Sequence, residues 1–377
     1  MSDIISSNSG KTAGEAPMDA AAEKQEKSQT QNLPAEEKKL GIALVGLGTY
    51  SEKQLAPALK ETHYCHLAGV VSGSAEKRGK WRMRYELNEN NLYSYENFED
   101  VCTNRDIDIA YIVLPNSLHA EYVIRAAKAG KHVICEKPMA TSAEDCERMI
   151  EACKEAGVKL SIGYRLHFDP FNQEMMRLGQ NKILGSIEEI KAEHCMDVGD
   201  KNQWRLNKAL AGGGPLMDVG IYCVQGAIYT AGELPTAVTA RFHPTTDADK
   251  FNEVEEGIEW EMIFPRGMKA LCKCSYKRGG DLLRATALNG WFELQPAYAY
   301  NGLKGKTSEG LMTIRSVNQQ AAQMDDFALC VQTNTETRVP GEMGLRDVRI
   351  LQAIYESART GKTVHVHLQE FENLIEL

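Results

Sequence analysis

Three residues of this chain have side chains that could together move a proton: Lys137, Asp218 and Tyr222. Lys137 lies in Cys135-Glu136-Lys137-Pro138, directly after the apolar run His132-Val133-Ile134. Asp218 and Tyr222 stand four apart in Gly212-Gly213-Gly214-Pro215-Leu216-Met217-Asp218-Val219-Gly220-Ile221-Tyr222, where a helix is predicted from Pro215 to Thr230. That spacing puts both on one side of a helix. A free tyrosine keeps its proton to about pH 10, so as a base it needs help. An ammonium beside it supplies that help, and an aspartate can orient either partner. Taken singly, a tyrosine on a helix packs and a lysine after a strand is solvated; only the combination speaks for catalysis.

A second pattern says what the proton movement serves. Gly46-Leu47-Gly48-Thr49-Tyr50-Ser51 follows the apolar strand Ile42-Ala43-Leu44-Val45 and precedes a helical segment. Strand, glycine turn and helix in that order cradle a pyrophosphate. Ser51 replaces the third glycine and is small enough for close packing. A dinucleotide beside a proton-handling set points to hydride transfer.

The end of the second strand bears on which dinucleotide binds. An Asp or Glu there would hold a ribose 2′-hydroxyl. Here the sequence runs Val71-Ser72-Gly73-Ser74-Ala75-Glu76-Lys77-Arg78, with no carboxylate at the strand end. Ser72, with Lys77 or Arg78, suits a 2′-phosphate, so NADP is expected. The plainer reading is that Ser74 caps a helix and the basic pair is solvated. Leu114-Pro115-Asn116-Ser117-Leu118-His119 follows a later strand and would lie beside the nicotinamide half. Ser117 could cap the next helix, and His119 lines the cleft, caps or packs.

These residues need a frame. From Leu40, short apolar strands alternate with helices: strands at 41–45, 66–72, 107–114, 131–135 and 158–163, helices at 51–61, 75–85, 117–129 and 142–156. This rhythm predicts a doubly wound parallel sheet, a Rossmann domain over 40–162. Beyond it the pattern changes to successive strands at 187–194, 236–243, 257–264, 269–276, 282–288 and 290–294, with closing helices at 316–333 and 345–360. That predicts an α+β domain over 163–377 with a large open, mostly antiparallel sheet, for substrate binding and oligomerisation. Residues 1–39, rich in Ser, Ala, Glu, Lys and Gln, are expected to be a flexible tail, or an arm over the cofactor or a partner subunit.

Composition narrows the function classes. A net charge of −9 disfavours a nucleic-acid surface. No run of 18 apolar residues predicts a membrane span. Ten cysteines without framework spacing suit a reducing compartment, and a cytoplasmic location is expected. Cys272 and Cys274 share one strand face, as do His365 and His367, but no metal is expected at either pair. An open apolar sheet face would need a cover, so a homodimer or homotetramer is expected.

Gly46-Leu47-Gly48, Glu136-Lys137-Pro138 and the glycine-rich segment ending in Asp218 resemble the Gfo/Idh/MocA oxidoreductases, most closely their glucose–fructose oxidoreductase branch. The resemblance runs from about residue 40 to 364 and includes Ile162-Gly163-Tyr164-Arg165 and Gln203-Trp204-Arg205-Leu206. It implies a sugar substrate, tightly held NADP and subunit contacts through the open sheet. By the same resemblance, Tyr164, Arg165, Trp204 and Arg205 fall near nicotinamide and substrate. Tyr222 stands where most of the wider family has histidine. The implied reaction oxidises an anomeric hydroxyl to a lactone, with hydride passed to a second sugar or released as NADPH. A cyclitol or diol dehydrogenase would use the same residues. A dinucleotide-binding sensor would not need Lys137, Asp218 and Tyr222 together. The segment 279–315 diverges from the branch, and its expected role is in shaping the sugar pocket.

Overall fold

The computed structural model describes residues 38–375; the expectation for residues 1–39 therefore falls, except at Lys38 and Lys39, outside the described residues. Six strands form the first sheet: β1 (Leu40–Val45), β2 (Cys65–Val71), β3 (Leu92–Tyr93), β4 (Ile109–Ile112), β5 (His132–Cys135) and β6 (Leu160–Ile162). All pair in parallel, in the order β3-β2-β1-β4-β5-β6. The order reverses between β1 and β4, where a doubly wound sheet opens a crevice at its carboxyl edge. The strands are apolar runs because helices cover both faces. Ala43, Val45, Ala110 and Ile112 join one core; Ile42, Leu44, Ile109, Tyr111 and Ile134 join the other.

Part of that second core comes from far down the chain. Helix Gln319–Thr333 contributes Ala321, Met324, Phe327 and Ala328 to it. Asp325 of this helix accepts from the His63 and Tyr64 amides at 2.9 Å. The Rossmann core thus draws on residues beyond the contiguous stretch 40–162.

The second sheet holds nine strands: β7 (Ile187–Cys195), β8 (Ala237–Phe242), β9 (Gly257–Ile263), β10 (Lys269–Ser275), β11 (Asp281–Ala287), β12 (Gly290–Leu294), β13 (Gly305–Thr307), β14 (Gly310–Leu311) and β15 (Val364–His365). Its order is β14-β13-β12-β11-β7-β10-β9-β8-β15, and every pair is antiparallel except β7 with β10. Alternation sorts each strand into two faces. Ile190, Ala192, Cys272, Cys274, Trp260 and Met262 face the core.

The outer face carries the ion pairs Lys191–Glu189, Lys273–Glu193, Lys269–Glu261, Arg241–Glu259 and Arg284–Glu293. The partly buried Leu271 and Leu282 lie among them, so the face is mixed rather than purely apolar. Among the described residues, no helix is long and apolar enough to cross a membrane.

Candidate active site

The glycine turn after β1 is closed by its own residues. Gly46 has φ +104°, and a Cβ there would lie 2.3 Å from the Val113 carbonyl oxygen, so only glycine fits. Ser51 is fully buried and donates to the Gly46 carbonyl at 2.6 Å. Its hydroxyl pins the turn where a third glycine would otherwise stand. Gly48 is the opposite case: it is exposed, and a Cβ added there meets nothing within 4 Å. That unfilled cradle precedes the helical residues Ser51–Leu55 and Ala56–Ala58, and it fits a dinucleotide pyrophosphate.

A cleft of about 730 Å³ continues from this cradle to the inner edge of the second sheet. Gly46, Gly48, Thr49, Tyr50, Ser72, Lys77, Leu114, Pro115, Asn116, His119, Glu136 and Lys137 line its Rossmann side. Arg165, Trp204, Arg205, Asp218 and Tyr222 line the other, together with His194, Tyr298 and Tyr300.

Lys137, Asp218 and Tyr222 do meet. The Lys137 ammonium donates to the Asp218 backbone carbonyl and lies 3.4 Å from Asp218 Oδ1. It also sits 4.7 Å from the centroid of the Tyr222 ring. Asp218 Oδ2 accepts from Arg205 Nε at 2.9 Å and from the Tyr276 hydroxyl at 3.2 Å. Burial works to raise the Asp218 pKa, but Arg205 and Lys137 outweigh it and hold it down at about 2. The segment carrying these residues starts as a π-helical turn, Leu216–Gly220, and continues as the α-helix Ile221–Ala231.

Arg165 lies in the cleft wall with its guanidinium already engaged. It donates to the carbonyls of Tyr298 (2.5 Å) and Ala299 (3.1 Å) and to the Gln319 side chain. Its guanidinium carbon sits 4.5 Å over the Tyr300 ring and 5.1 Å over that of Tyr222. It therefore clamps the segment 298–300 into the cleft. Arg205 stacks on Trp204, 4.7 Å from the ring centroid.

Three other expectations change on contact with the geometry. Tyr164 is buried outside the cleft lining, its ring 6.1 Å from that of His167. Arg78 is turned onto the Ser72 carbonyl, so of the pair only Lys77 lines the cleft. Ser74 caps the helix Ala75–Tyr85 by accepting from the Lys77 amide at 3.2 Å, so cap and cleft lining coexist. Ser117 caps nothing. The His119 ring nitrogens lie 2.9 Å from the carbonyls of Leu114 and Pro138. Burial lowers its pKa, and a neutral ring has a single N–H, so it donates to one of these two carbonyls. Glu136, in the cleft lining but largely buried, accepts from the Tyr111 hydroxyl at 2.8 Å.

Sequence reasoning missed His194, Tyr276, Tyr298 and Tyr300. His194, near the end of β7, has its ring 5.6 Å from Tyr222 and 4.8 Å from Tyr298. Burial first, then Lys137 and Arg165, push its pKa down to about 3, so the ring stays neutral. Tyr298 and Tyr300 come from the divergent segment 279–315; Tyr300 also meets Tyr50 of the glycine turn at 5.8 Å between centroids. A larger cavity, about 1400 Å³, lies elsewhere, but its Arg177, Arg346 and Arg349 are paired with Glu174, Asp347, Glu147 and Glu370.

A Rossmann sheet whose carboxyl edge faces an open sheet across a cleft with lysine, aspartate and tyrosine defines a dinucleotide-linked oxidoreductase fold. The chain belongs to the Gfo/Idh/MocA oxidoreductase family. The profile described as "Oxidoreductase family, NAD-binding Rossmann fold" matches residues 40–164. Two C-terminal profiles of the family match residues 172–290 and 303–366. The chain is 30% identical over 347 residues to the D-xylose 1-dehydrogenase [NADP(+)] of Haloarcula marismortui, covering 89% of this chain and 96% of that protein. It is 25% identical to the D-glucoside 3-dehydrogenase of Escherichia coli, over 87% of this chain and 97% of that one. The solved structure of aldose-aldose oxidoreductase from Caulobacter crescentus, complexed with glycerol, is similar at 42% identity and a TM-score of 0.85. That match covers 87% of this chain and 100% of the other.

Proposed function

We propose that this protein is an NADP-dependent oxidoreductase that converts the anomeric hydroxyl of an aldose to a lactone. The observation that carries the reading is the convergence of Lys137, Asp218 and Tyr222 in the cleft at the carboxyl edge of the Rossmann sheet. The relatives named for xylose and for aldoses support the substrate class, and the xylose enzyme supports NADP. Ser72 and Lys77 in the cleft wall, with no carboxylate at the end of β2, suit a 2′-phosphate.

The bound nicotinamide supplies the hydride acceptor, and in the reverse direction the donor. Tyr222 takes the proton of the anomeric hydroxyl and returns it to the carbonyl oxygen in reverse. Lys137 and Arg165, 4.7 and 5.1 Å from its ring centroid, are the cations whose charge favours the negative charge it takes on. Asp218 is not the base, since a carboxylate held at about pKa 2 is too weak a base for this proton. It fixes Lys137 on one oxygen and Arg205 on the other. Trp204 and Tyr300, both partly exposed in the cleft wall, offer ring surface to a sugar.

Hydride passage between two sugars on retained NADP belongs to the same proposal. So does pairing of subunits through the ionic outer sheet face, which high salt would weaken. Ten free cysteines favour a reducing compartment such as the cytoplasm. The test is the near-ultraviolet spectrum of the purified protein before and after glucose or xylose, with no cofactor added. A reduced-nicotinamide band that a second sugar bleaches supports retained NADP. Steady NADPH formation only with added NADP supports a conventional aldose dehydrogenase. No reduction with any aldose under either condition overturns the aldose reading, and cyclitols and diols are then assayed.

A further inference from the structure

The helix that carries Asp218 and Tyr222 begins at a carboxylate that belongs to none of the residues assigned so far. Glu255, in the connection between β8 and β9, accepts from the Gly214 amide at 3.0 Å through Oε2. Its Oε1 accepts from the Leu216 amide at 3.2 Å. The Tyr355 hydroxyl, from helix Gly341–Thr360, donates to the same Oε1 at 2.8 Å. The first amides of a helix have no partner within it, and the positive end of the helix dipole stabilises an anion there. Glu255 serves both needs.

Two of the three glycines ahead of the helix fit this anchor. A Cβ on Gly213 would lie 2.1 Å from the Tyr355 hydroxyl, and one on Gly214 would lie 2.5 Å from the Glu255 carbonyl and 2.9 Å from its carboxyl carbon. The chain is therefore drawn against Glu255 and Tyr355 with no room for a side chain. Asp218 follows two residues after the second anchored amide, and Tyr222 one turn later.

We propose that Glu255, backed by Tyr355, is a positioning residue that fixes the first turn of this helix and so sets Asp218 and Tyr222 against Lys137. Its effect on turnover rests on the proton-transfer reading above; its effect on the backbone does not. Misplacement of a reacting group by about 1 Å costs roughly 10²-fold in rate, so a loosened first turn acts on kcat while the cofactor cradle, on another element, is untouched.

The experiment compares wild type, Glu255→Gln and Tyr355→Phe as full chains with NADP. Two readouts are taken: steady-state kinetics on an aldose, and amide hydrogen exchange in 213–218. For Glu255→Gln the expected result is a kcat lower by about 10- to 100-fold, an unchanged Kd for NADP, and faster exchange confined to 213–218. Tyr355→Phe is expected to give a smaller loss of the same kind. A folded Glu255→Gln protein with wild-type exchange in 213–218, or with wild-type kcat, overturns the proposal. Exchange that rises throughout the chain with kcat unchanged also overturns it, since that is the mark of general destabilisation. If Glu255→Gln does not fold, Tyr355→Phe decides by the same two readouts. If wild type turns over no aldose, the functional reading fails, and the exchange comparison still tests the anchor.

Discussion

Two glycine-rich segments lead into helices at the cleft, and they use glycine for opposite ends. At Gly48 the missing side chain leaves space that none of the described residues fills. At Gly213 and Gly214 the space is already taken by Tyr355 and Glu255. Both helix starts need an anion. The first is left open for a phosphate from outside, whereas the second is closed by the protein's own carboxylate. A glycine run beside a helix therefore marks a ligand only where the structure leaves the volume free.

Mutations can break this contrast at either end. The largest effect is expected at Tyr222, the residue that the second helix delivers. Tyr222→Phe should lower turnover by about 10²-fold or more with NADP still bound; near-normal kcat in a fluorescence-verified holoenzyme would remove Tyr222 as the base. Next comes Gly213→Ala, whose methyl group meets the Tyr355 hydroxyl. It should destabilise the fold by about 1–3 kcal/mol, read as a lower melting temperature, while the folded fraction keeps its NADP affinity. Gly48→Ala should do the reverse: an unchanged melting temperature without cofactor, and NADP binding weakened about tenfold, or 1.4 kcal/mol. Equal effects of the two alanines on stability would erase the distinction.

The smallest expected effect is on pH dependence. Burial raises the Glu255 pKa above the ordinary 4.5, and its hydrogen bonds from Tyr355 and the Leu216 and Gly214 amides only partly offset this. Tyr355, Cys274 and Tyr276 face it, and none brings positive charge. With a native pKa above the unfolded one, the native state holds the extra proton, so ionising Glu255 costs stability as pH rises through its native pKa. The anchor, however, needs the ionised form. Turnover should therefore fall on the acid side while Asp218, at about 2, is still charged. Glu255→Gln should flatten that limb of the kcat–pH profile; an unaltered limb assigns it to another group.

How much of this was legible in the sequence depended on how local the signal was. Strands β1, β2, β5 and β7 stand within two residues of their expected ends because each is an apolar or alternating run bounded by turn residues. The two-residue strands β3, β14 and β15 carry too little pattern to be read. The unpredicted helix Pro170–Gln180 did carry a signal: Asp169 caps it at 3.0 and 3.1 Å, with Pro170 at its first position. Lys137, Asp218 and Tyr222 could be named because they sit in motifs. Arg165 was placed at the cleft but not given its clamping role, since its partners Tyr298 and Ala299 lie 133 and 134 residues away. Alternation from Ile190 and Ala192 puts His194 on the inner face of β7 without saying that it meets Tyr222; Tyr300 and Glu255 had no periodicity to expose them, and only the path of the chain brings them to the site.

Helix Gln319–Thr333 adds a consequence in time. A ribosome releases β1 to β6 well before residues 321–328 exist, so part of the face formed by Ile42, Leu44, Ile109 and Tyr111 emerges without its cover. At about 5–20 residues per second the delay is on the order of ten seconds or more. The nucleotide-binding sheet is made before this helix and finished only by it, which makes the nascent chain a natural client for a chaperone.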